Sequence, residues 1–381
     1  MSARVAGHNR ALAFWALLLL SPAVVGCQSR APERVAPPVD TSFSQTVARL
    51  SEPAGYFDTD NLISNESSYL HVLPRLAALG TRGGAYIGVG PDQNYSYIAA
   101  IRPEIAYVVD VRRDNLLQHL MFKALFERSN SRLEFLCRWL GRRPPADLAQ
   151  WRERPIDAIV GYLDRTPADT AFARAEGEAL VASAMRTGLP LSQADTSTIT
   201  RFHSIFVGGG LGLQFTSFGR PPRPYYPTLR QLVLERDDDG RQASYLVRDE
   251  DWRFIKSLHG ANRIVPVVGN LAGTAAVPAI ARDVRGRGLV LSALYTSNVE
   301  FYVWNEGQFA QFARNVAALP RDGRSAIIRS YFGRQLGEGP LLSARRGYAS
   351  VQLLQPVEDF VRRSESGAWR SYRDVVTLGA R

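Results

Sequence analysis

The stretch that decides the fold is GAYIGVGPDQN at residues 84–94, which is followed by IAYVVD at residues 105–110. In the first run, apolar residues lead into a Gly-x-Gly turn, and a helix is predicted after it. The second run is also apolar and ends in an acid, Asp110. A strand, a glycine turn, a helix and a second strand that ends in an acid are typical of a nucleotide site at the open edge of a parallel sheet.

The glycine and polar positions of this stretch each have a physical role in such a site. Gly88 and Gly90 lack a Cβ atom, so the backbone can approach a ligand closely at the turn. The helix predicted after Asp92, from about Asn94, presents free amide groups that suit a carboxylate or a phosphate. Asp110 ends the adjacent strand, where an acid can accept hydrogen bonds from both ribose hydroxyls. The alternative for the glycine turn alone is a tight turn without a ligand, so the stretch predicts a nucleotide-binding ancestry and leaves present-day binding open.

Strands and helices alternate along most of the chain. Strands are predicted at residues 85–89, 105–109, 264–268, 289–295, 325–331 and 349–354, and helices at 94–101, 249–258, 275–284, 308–318 and 357–363. This alternation predicts an α/β fold, Rossmann-like, with a mainly parallel sheet and helices on both faces. Residues 129–200 are helical in pattern and rich in arginine, and we interpret them as a helical insertion within a single domain that spans residues 42–381.

A further helix is predicted just before the glycine turn. Ser64-Asn65-Glu66 has the pattern of a helix start, with Glu66 as a capping acid or, alternatively, as an active-site residue. Apolar residues then follow at helical spacing from Tyr69 to Leu79. Pro74 lies within this run and is expected to bend the helix.

The charge of the chain is strongly positive but evenly spread. The 381 residues carry a formal net charge of +10, with 46 basic against 36 acidic side chains, and nearly all of the basic ones are arginine. A nucleic-acid or anionic-surface partner is one interpretation of that balance. An arginine-rich composition is the other, and it is favoured because the arginines are scattered and the acids lie between them, so nucleic acid is not an expected partner.

The first residues predict export. Arg4 and Arg10 precede the short apolar run at 11–20, and Val24-Val25-Gly26-Cys27 resembles a bacterial lipobox. We therefore predict a signal peptide at residues 1–26, lipidation of Cys27 and a proline-rich flexible tether at 27–41. Gln28 favours the outer membrane, facing the periplasm. The alternative is an ordinary signal sequence with an unmodified cysteine.

The remaining cysteine and the histidines do not form a recognisable site. Cys137 lies in a helical pattern and is predicted to be a buried structural residue, because no nearby pattern argues for an activated thiol. The histidines show no metal-ligand spacing, so no metal site is predicted. The four histidines that follow the predicted signal peptide are His71, His119, His203 and His259.

The order of these elements resembles a class I S-adenosylmethionine-dependent methyltransferase over about residues 60–335. A narrower resemblance, to a family of uncharacterised bacterial methyltransferase-like proteins, rests on five phrases. They are Ser64-Asn65-Glu66, residues 88–94, Val111-Arg112-Arg113, Val267-Val268-Gly269-Asn270 and Ser297-Asn298-Val299-Glu300. The resemblance implies that S-adenosylmethionine is held by Gly88, Gly90 and Asp110, that Asn270 lies near the adenine, and that Asn298 or Glu300 lies near the methyl acceptor.

Two residues depart from the methyltransferase pattern. Tyr86 stands where the first motif has an acid, and Asp92 stands where it has a third glycine. A carboxylate at the helix start competes with an anionic ligand for the same amides, although it could bind an ammonium group instead. An exported lipoprotein also faces a compartment in which S-adenosylmethionine is not expected. We therefore favour a non-catalytic or altered-ligand binding or scaffold protein of the cell envelope, with an active methyltransferase of unknown acceptor as the alternative.

Overall fold

A six-stranded sheet forms the centre of the protein, for which a computed structural model describes residues 41–218, 220–332 and 344–378. The strands are β1 (Ala85–Val89), β2 (Ile105–Asp110), β3 (Ile264–Val268), β4 (Leu291–Ser297), β5 (Arg321–Phe332) and β6 (Ser350–Pro356). Their order across the sheet is β3-β2-β1-β4-β5-β6. Neighbouring strands are parallel from β3 to β5, and β6 pairs with β5 in the antiparallel direction.

The chain reverses its direction of travel across the sheet beside β1. It moves outward from β1 through β2 to β3, and then returns to add β4 on the other side of β1. Such a switch point leaves a crevice at the carboxyl ends of the two strands, which is where ligands bind in open α/β sheets. Every residue of β1 and β3 is buried, as expected for strands that are covered on both faces.

Helices pack around this sheet. Their bounds are α1 (Thr41–Leu50), α2 (Leu73–Ala78), α3 (Gln93–Ile101), α4 (Arg113–Arg128), α5 (Arg132–Trp139), α6 (Ile156–Arg165), α7 (Thr170–Met185), α8 (Gln193–Gly209), α9 (Leu229–Val233), α10 (Asp249–Gly260), α11 (Ala276–Gly286), α12 (Val299–Asn305), α13 (Phe309–Ala318), α14 (Val357–Glu365) and α15 (Tyr372–Leu378). Short 3-10 helices lie at Leu148–Trp151 and Gly210–Gly212. In one group, α3, α4 and α10 contact one another, and in a second group α1, α11, α13 and α14 contact one another in succession. The prediction of an α/β fold with a mostly parallel sheet is confirmed.

Two local predictions were wrong. No helix begins at Ser64-Asn65-Glu66, because residues 65–72 form turns and bends and α2 begins only at Leu73. Pro74 therefore lies in the first turn of α2, where a missing amide hydrogen costs nothing, and it does not bend a longer helix. Strand β4 also begins and ends two residues later than predicted, so that Ser297 is its last residue.

The arginine-rich segment at 129–200 is helical, as predicted, and it completes the core. Helices α7 and α8 pack on the outer side of α4, whose residues from Asn115 to Phe126 are all buried. Glu176 of α7 accepts hydrogen bonds from Arg128 at 2.7 Å and from Arg138 at 2.6 Å. Cys137 is buried, as predicted, and burial raises the pKa of its thiol to about 12.

The predicted signal peptide, Cys27 and the tether up to residue 40 lie outside the described residues. The described residues belong to one compact unit. Among the helices at 41–218, 220–332 and 344–378, none combines the length and the apolar character that a membrane span requires.

Candidate functional site

The predicted site residues gather at the edge of the sheet where the parallel strands end. Gly90, Asp110 and Asn270 follow or end β1, β2 and β3, and Asn298 follows β4. Because these strands are neighbours in register, their carboxyl ends meet at one edge. The segments predicted to form the site therefore lie together at this edge, and their side chains determine whether they leave a pocket.

The glycine turn after β1 is filled by side chains of the protein itself. A Cβ atom on Gly88 would lie 2.0 Å from Oδ1 of Asn94 and 2.5 Å from the hydroxyl of Tyr86. Tyr86 donates its hydroxyl to Asn94 Oδ1 at 2.8 Å, and both side chains are fully buried. Gly88 is thus needed for the close approach of Tyr86 and Asn94. This contact explains why a glycine stands here, and no ligand is required for that explanation.

Asn94 closes the same turn from the other side. Its Nδ2 donates to the carbonyl of Val89 at 2.9 Å and to that of Pro91 at 2.7 Å. Gly90 adopts a left-handed conformation with φ of +83° to make this possible. The turn is therefore organised around the amide of Asn94, a role that sequence reasoning assigned to a ligand.

Asp110 at the end of β2 is held by a neighbouring arginine. Arg112 donates from Nε to Oδ1 at 3.0 Å and from Nη2 to Oδ2 at 2.7 Å, and its backbone amide also donates to Oδ1 at 3.0 Å. Both side chains are largely buried. The two carboxylate oxygens that would receive ribose hydroxyls thus already accept a bidentate guanidinium.

A segment before the glycine turn runs across the ends of the strands. We call residues 51–68 the N-terminal strap. Its Glu52 amide donates to the carbonyl of Val268 at the end of β3 at 2.9 Å, and the Gly55 amide donates to the carbonyl of Val111 after β2 at 2.7 Å. Arg112 then binds the strap through the carbonyl oxygens of Thr59 and Asp60, at 2.7 and 2.6 Å.

The strap continues to the other half of the sheet. Glu66 is buried and accepts hydrogen bonds from Tyr295 at 2.7 Å, from Gln352 at 2.9 Å and from the hydroxyl of Ser297. Ser68 donates to the carbonyl of Ser350, the first residue of β6, at 2.8 Å. Glu66 therefore ties the strap to the end of β4, and it does not cap a helix.

Asn270 after β3 has an ordering role. Its Oδ1 accepts a hydrogen bond from the backbone amide of Ala272 at 2.8 Å, and its backbone amide donates to Oε1 of Glu52 at 2.7 Å. The other oxygen of Glu52 accepts the amide of Ala276, at the first residue of α11, at 3.0 Å. A carboxylate of the strap thus occupies the helix start where an anionic ligand group could bind.

Glu300 forms a buried ion pair. It accepts hydrogen bonds from Nε of Arg329 at 2.6 Å and from Nη2 of the same arginine at 3.2 Å, and both side chains are 1% exposed. The pair connects α12 to β5. Asn298 is half-buried at the start of α12, and its Oδ1 lies 3.4 Å from the hydroxyl of Ser297, which has a left-handed φ of +52°.

Asp92 is a buried acid beside a small pocket. Its Oδ2 accepts a hydrogen bond from the hydroxyl of Tyr245 at 3.2 Å, and the structure shows no ion pair to it among the residues described at 41–218, 220–332 and 344–378. Burial raises the pKa of Asp92 to about 7, and the Tyr245 hydrogen bond opposes part of that rise. The pocket is lined by Asp92, Gln93, Tyr69, Ser244 and Tyr245 together with apolar side chains of α9.

A second layer covers the strap. The amide of Phe218 donates to the carbonyl of Asp58 at 2.8 Å, and Arg201 of α8 pairs with Asp60 at 2.6 Å. Around this layer lie most of the large apolar side chains that the described residues expose. We call this region the aromatic–arginine surface, formed by Tyr56, Phe218, Arg220, Arg223, Tyr225 and Tyr302.

Sequence reasoning missed the partners of its own candidates. Arg112 follows Asp110 by two residues, so its pairing with that acid could have been suspected from the sequence. Glu52 and Tyr245 carried no such signal, because they reach the site from distant parts of the chain. Within the described parts of the chain, no group of three or more His, Cys, Asp or Glu side chains could hold a metal ion.

Comparison with known proteins identifies a family. No curated protein matches the chain. The model of a domain of unknown function, DUF7790, matches residues 62–150 and 218–377. The stretch between the two matched parts contains α6, α7 and α8, which lie within or extend the predicted insertion. Because the matched residues make up more than half of the sequence, the chain belongs to the DUF7790 family.

Proposed function

We propose that this protein is a non-catalytic binding protein of the bacterial cell envelope, held to the membrane by a lipid on Cys27. Its core is a class I methyltransferase-like, Rossmann-like domain in which the protein's own side chains occupy the nucleotide position. Nucleic acid is not among its partners in this proposal. The parts of the proposal rest on different observations and have separate tests.

The strand order supports the methyltransferase-like core. The order β3-β2-β1-β4-β5, followed by an antiparallel strand next to β5, has its switch point beside β1. A glycine turn follows β1, and an acid, Asp110, ends β2 next to it. The sequence resemblance implied the glycine turn and the acid, and together with the strand order they support common ancestry without supporting activity.

The pairing of Arg112 with Asp110 carries the non-catalytic part of the proposal. A cofactor ribose would have to compete with a bidentate guanidinium for both carboxylate oxygens. Opening that pair would also remove two hydrogen bonds from the strap, because the same arginine holds the carbonyl groups of Thr59 and Asp60. The glycine turn adds to this barrier, because Asn94 and Tyr86 fill its interior.

The binding part of the proposal rests on the aromatic–arginine surface. Tyr56 is 78% exposed and Phe218 is 50% exposed, and Arg223 lies over the ring of Tyr225 at 5.9 Å. Grouped aromatic rings and arginines suit the interface of an anionic membrane, where rings lie at the headgroup level and guanidinium groups bind phosphate. We assign this surface to contact with anionic lipid headgroups, which is consistent with a protein that is already anchored nearby.

Calorimetry with S-adenosylmethionine and S-adenosylhomocysteine tests the non-catalytic part. We expect no binding heat with the purified full-length protein. Micromolar binding that is lost in Asp110→Ala would overturn this part and establish a working cofactor site.

Two further measurements test the location and the surface. Labelled palmitate should be incorporated into the wild type and not into Cys27→Ser, and absence of label from the wild type would refute the anchor.

Vesicles that contain anionic phospholipids should bind the unlipidated Cys27→Ser protein more weakly when Tyr56→Ser and Phe218→Ser are introduced. Met185→Ser is the matched control, because Met185 is 59% exposed on α7, outside the aromatic–arginine surface. Equal binding by all variants would refute the assignment of the surface.

An active S-adenosylmethionine-dependent methyltransferase is the second candidate. The position of Asp110 favours it, since this acid ends the strand beside the glycine turn, as in a nucleotide site. In this candidate Asn298 contacts the acceptor, and Arg112 must release Asp110 before the cofactor binds. Tighter S-adenosylmethionine binding by Arg112→Ala than by the wild type would support it.

A further inference from the structure

The pocket beside Asp92 combines groups that lack a cationic partner. Asp92 is 8% exposed, and the hydrogen bonds that act on its carboxylate come from the neutral hydroxyl of Tyr245 and from its own backbone amide. Most other buried acids of the described residues have guanidinium partners. Asp251, for example, pairs with Arg102 at 2.5 Å and with Arg248 at 2.7 Å. One exception, Glu66, accepts hydrogen bonds from three neutral side chains. Buried carboxylates are ordinarily paired, so Asp92 stands out.

Gln93 adds an independent observation. This residue is 6% exposed and lines the same pocket, and its Oε1 has no hydrogen-bond partner in the described structure. Its Nε2 is used elsewhere, on the hydroxyl of Tyr295 at 3.3 Å. A buried acceptor without a donor is unfavourable, so a ligand that donates hydrogen bonds is favoured here.

We propose that this pocket binds a small ammonium-type cation, either free ammonium or the primary ammonium group of a larger molecule. The carboxylate of Asp92 supplies the negative charge, and Gln93 Oε1 and the hydroxyl oxygen of Ser244 supply further acceptors. The rings of Tyr69 and Tyr245 line the pocket, and aromatic rings stabilise cations. The proposal does not depend on the function proposed above.

The size of the pocket selects a small group. Its cavity volume is about 10 Å³, which is close to the minimum for one water molecule. An ammonium ion is similar in size to water and donates hydrogen bonds to acceptors around it. A divalent metal is a poor fit, because such ions require several oxygen ligands and the pocket has a single carboxylate.

The protonation state of Asp92 makes the binding depend on pH. The titratable groups that act on Asp92 are the tyrosines Tyr69, Tyr95 and Tyr245, and burial raises the pKa of each of them. They stay neutral near neutral pH, so the carboxyl of Asp92 is the group that titrates. The ammonium group is bound by the carboxylate and is excluded when Asp92 carries its own proton.

Thermal unfolding of the purified full-length protein in different salts tests the proposal. At pH 8, ammonium chloride should raise the unfolding midpoint by about 2 °C or more above sodium chloride at equal ionic strength. Tetramethylammonium chloride should behave like sodium chloride, because its methyl groups do not fit the pocket. Methylammonium chloride represents the primary ammonium group of a larger molecule, and it should raise the unfolding midpoint as ammonium chloride does. At pH 5.5 the difference between ammonium and sodium should shrink.

Variants of the two acceptors make the test specific. Asp92→Asn should lose the ammonium response. Gln93→Leu should weaken this response, and it is the variant to measure if Asp92→Asn does not fold. Tyr245→Phe retains the ring but removes the hydrogen bond that lowers the pKa of Asp92, so its ammonium response should shift to higher pH than that of the wild type. Asp164→Asn is the control, since Asp164 is an exposed acid paired with Arg230 on the surface. Equal midpoints of the wild type in ammonium and sodium, or an undiminished response in Asp92→Asn, would overturn the proposal and leave a pocket that holds water only.

Discussion

Arg112 holds Asp110 through two parallel hydrogen bonds, Nε to Oδ1 at 3.0 Å and Nη2 to Oδ2 at 2.7 Å. The acid predicted to bind a nucleotide is therefore part of the scaffold that fixes the N-terminal strap. This pair connects the end of β2 to the strap, because the remaining nitrogen of Arg112 binds the carbonyl groups of Thr59 and Asp60. Removing this pair should therefore lower the stability of the protein more than it changes the binding of any ligand.

We expect Arg112→Ala to lower the free energy of unfolding by about 3–5 kcal/mol, because it leaves a buried carboxylate without its partner. Chemical denaturation monitored by tyrosine and tryptophan fluorescence measures the change. The adjacent Arg113→Ala is the control, since Arg113 pairs with Asp195 at a more exposed position and should contribute about 1 kcal/mol or less. Equal losses in the two variants would contradict the role given to Arg112.

Glu300 should behave as a structural residue. Glu300→Gln removes the negative charge from a fully buried pair and leaves Arg329 uncompensated, so we expect a loss of about 3–5 kcal/mol in the free energy of unfolding. The exposed Glu306→Gln, at the end of the same helix, should change stability by less than about 0.5 kcal/mol. A Glu300→Gln protein of unchanged stability would show that the pair contributes little.

Asp92 should destabilise the folded protein at alkaline pH. Burial raises the pKa of Asp92 from its ordinary value of 3.8 to about 7, so the folded state holds a proton that the unfolded state has released between those values. The penalty is absent below pH 3.8, grows as the pH rises, and is complete above pH 7. Asp92→Asn should therefore be more stable than the wild type at pH 8, by at most about 4 kcal/mol, with the difference shrinking towards pH 4. Denaturation in sodium buffers free of ammonium is the measurement, and a constant difference across this range would contradict the assignment.

Two buried histidines should make the protein sensitive to acid. Burial lowers the pKa of His119 to about 4 and that of His259 well below its usual value of 6.5. Both folded-state values are depressed, so the unfolded state takes up protons first, and stability that is present above pH 6.5 is lost as the pH falls below it.

His259 offers the cleaner test of this acid sensitivity. Neither of its ring nitrogens has a hydrogen-bond partner in the described structure, and its ring stacks on Phe126 at 4.8 Å. His259→Phe keeps the shape and removes the titrating group. Its unfolding free energy should fall less steeply than that of the wild type between pH 6.5 and pH 5, and parallel profiles would refute the role of His259.

Much of the sheet could be predicted from the sequence because its strands are short, apolar and separated by helices. The glycine turn and Asp110 were placed correctly for the same reason, since local spacing fixes the order of a strand, a turn, a helix and a strand. The prediction that Pro74 bends a longer helix was wrong, because the helical spacing of apolar residues continues through turns that do not form a helix.

The contents of the site could not be predicted in the same way. Glu66 meets Ser297 although 231 positions separate them, and Glu52 meets Ala276 across 224 positions. A periodic pattern carries no information about such pairs, because any acid of suitable length could occupy these places. The acceptor of Tyr86 was eight residues away and could have been suspected, but a tyrosine beside a glycine turn reads equally well as an ordinary core residue.

The course of the strap has a mechanical consequence. Its contacts with β3, β2 and β4 follow one another along the chain, through Glu52, Gly55 and Glu66, so tension applied from the N-terminal side would load them one at a time. Bonds that are loaded in sequence yield at lower force than bonds that share a load. A pull from the N-terminal side would thus peel the strap away while the six strands stay paired, and it would expose the strand ends that the strap covers.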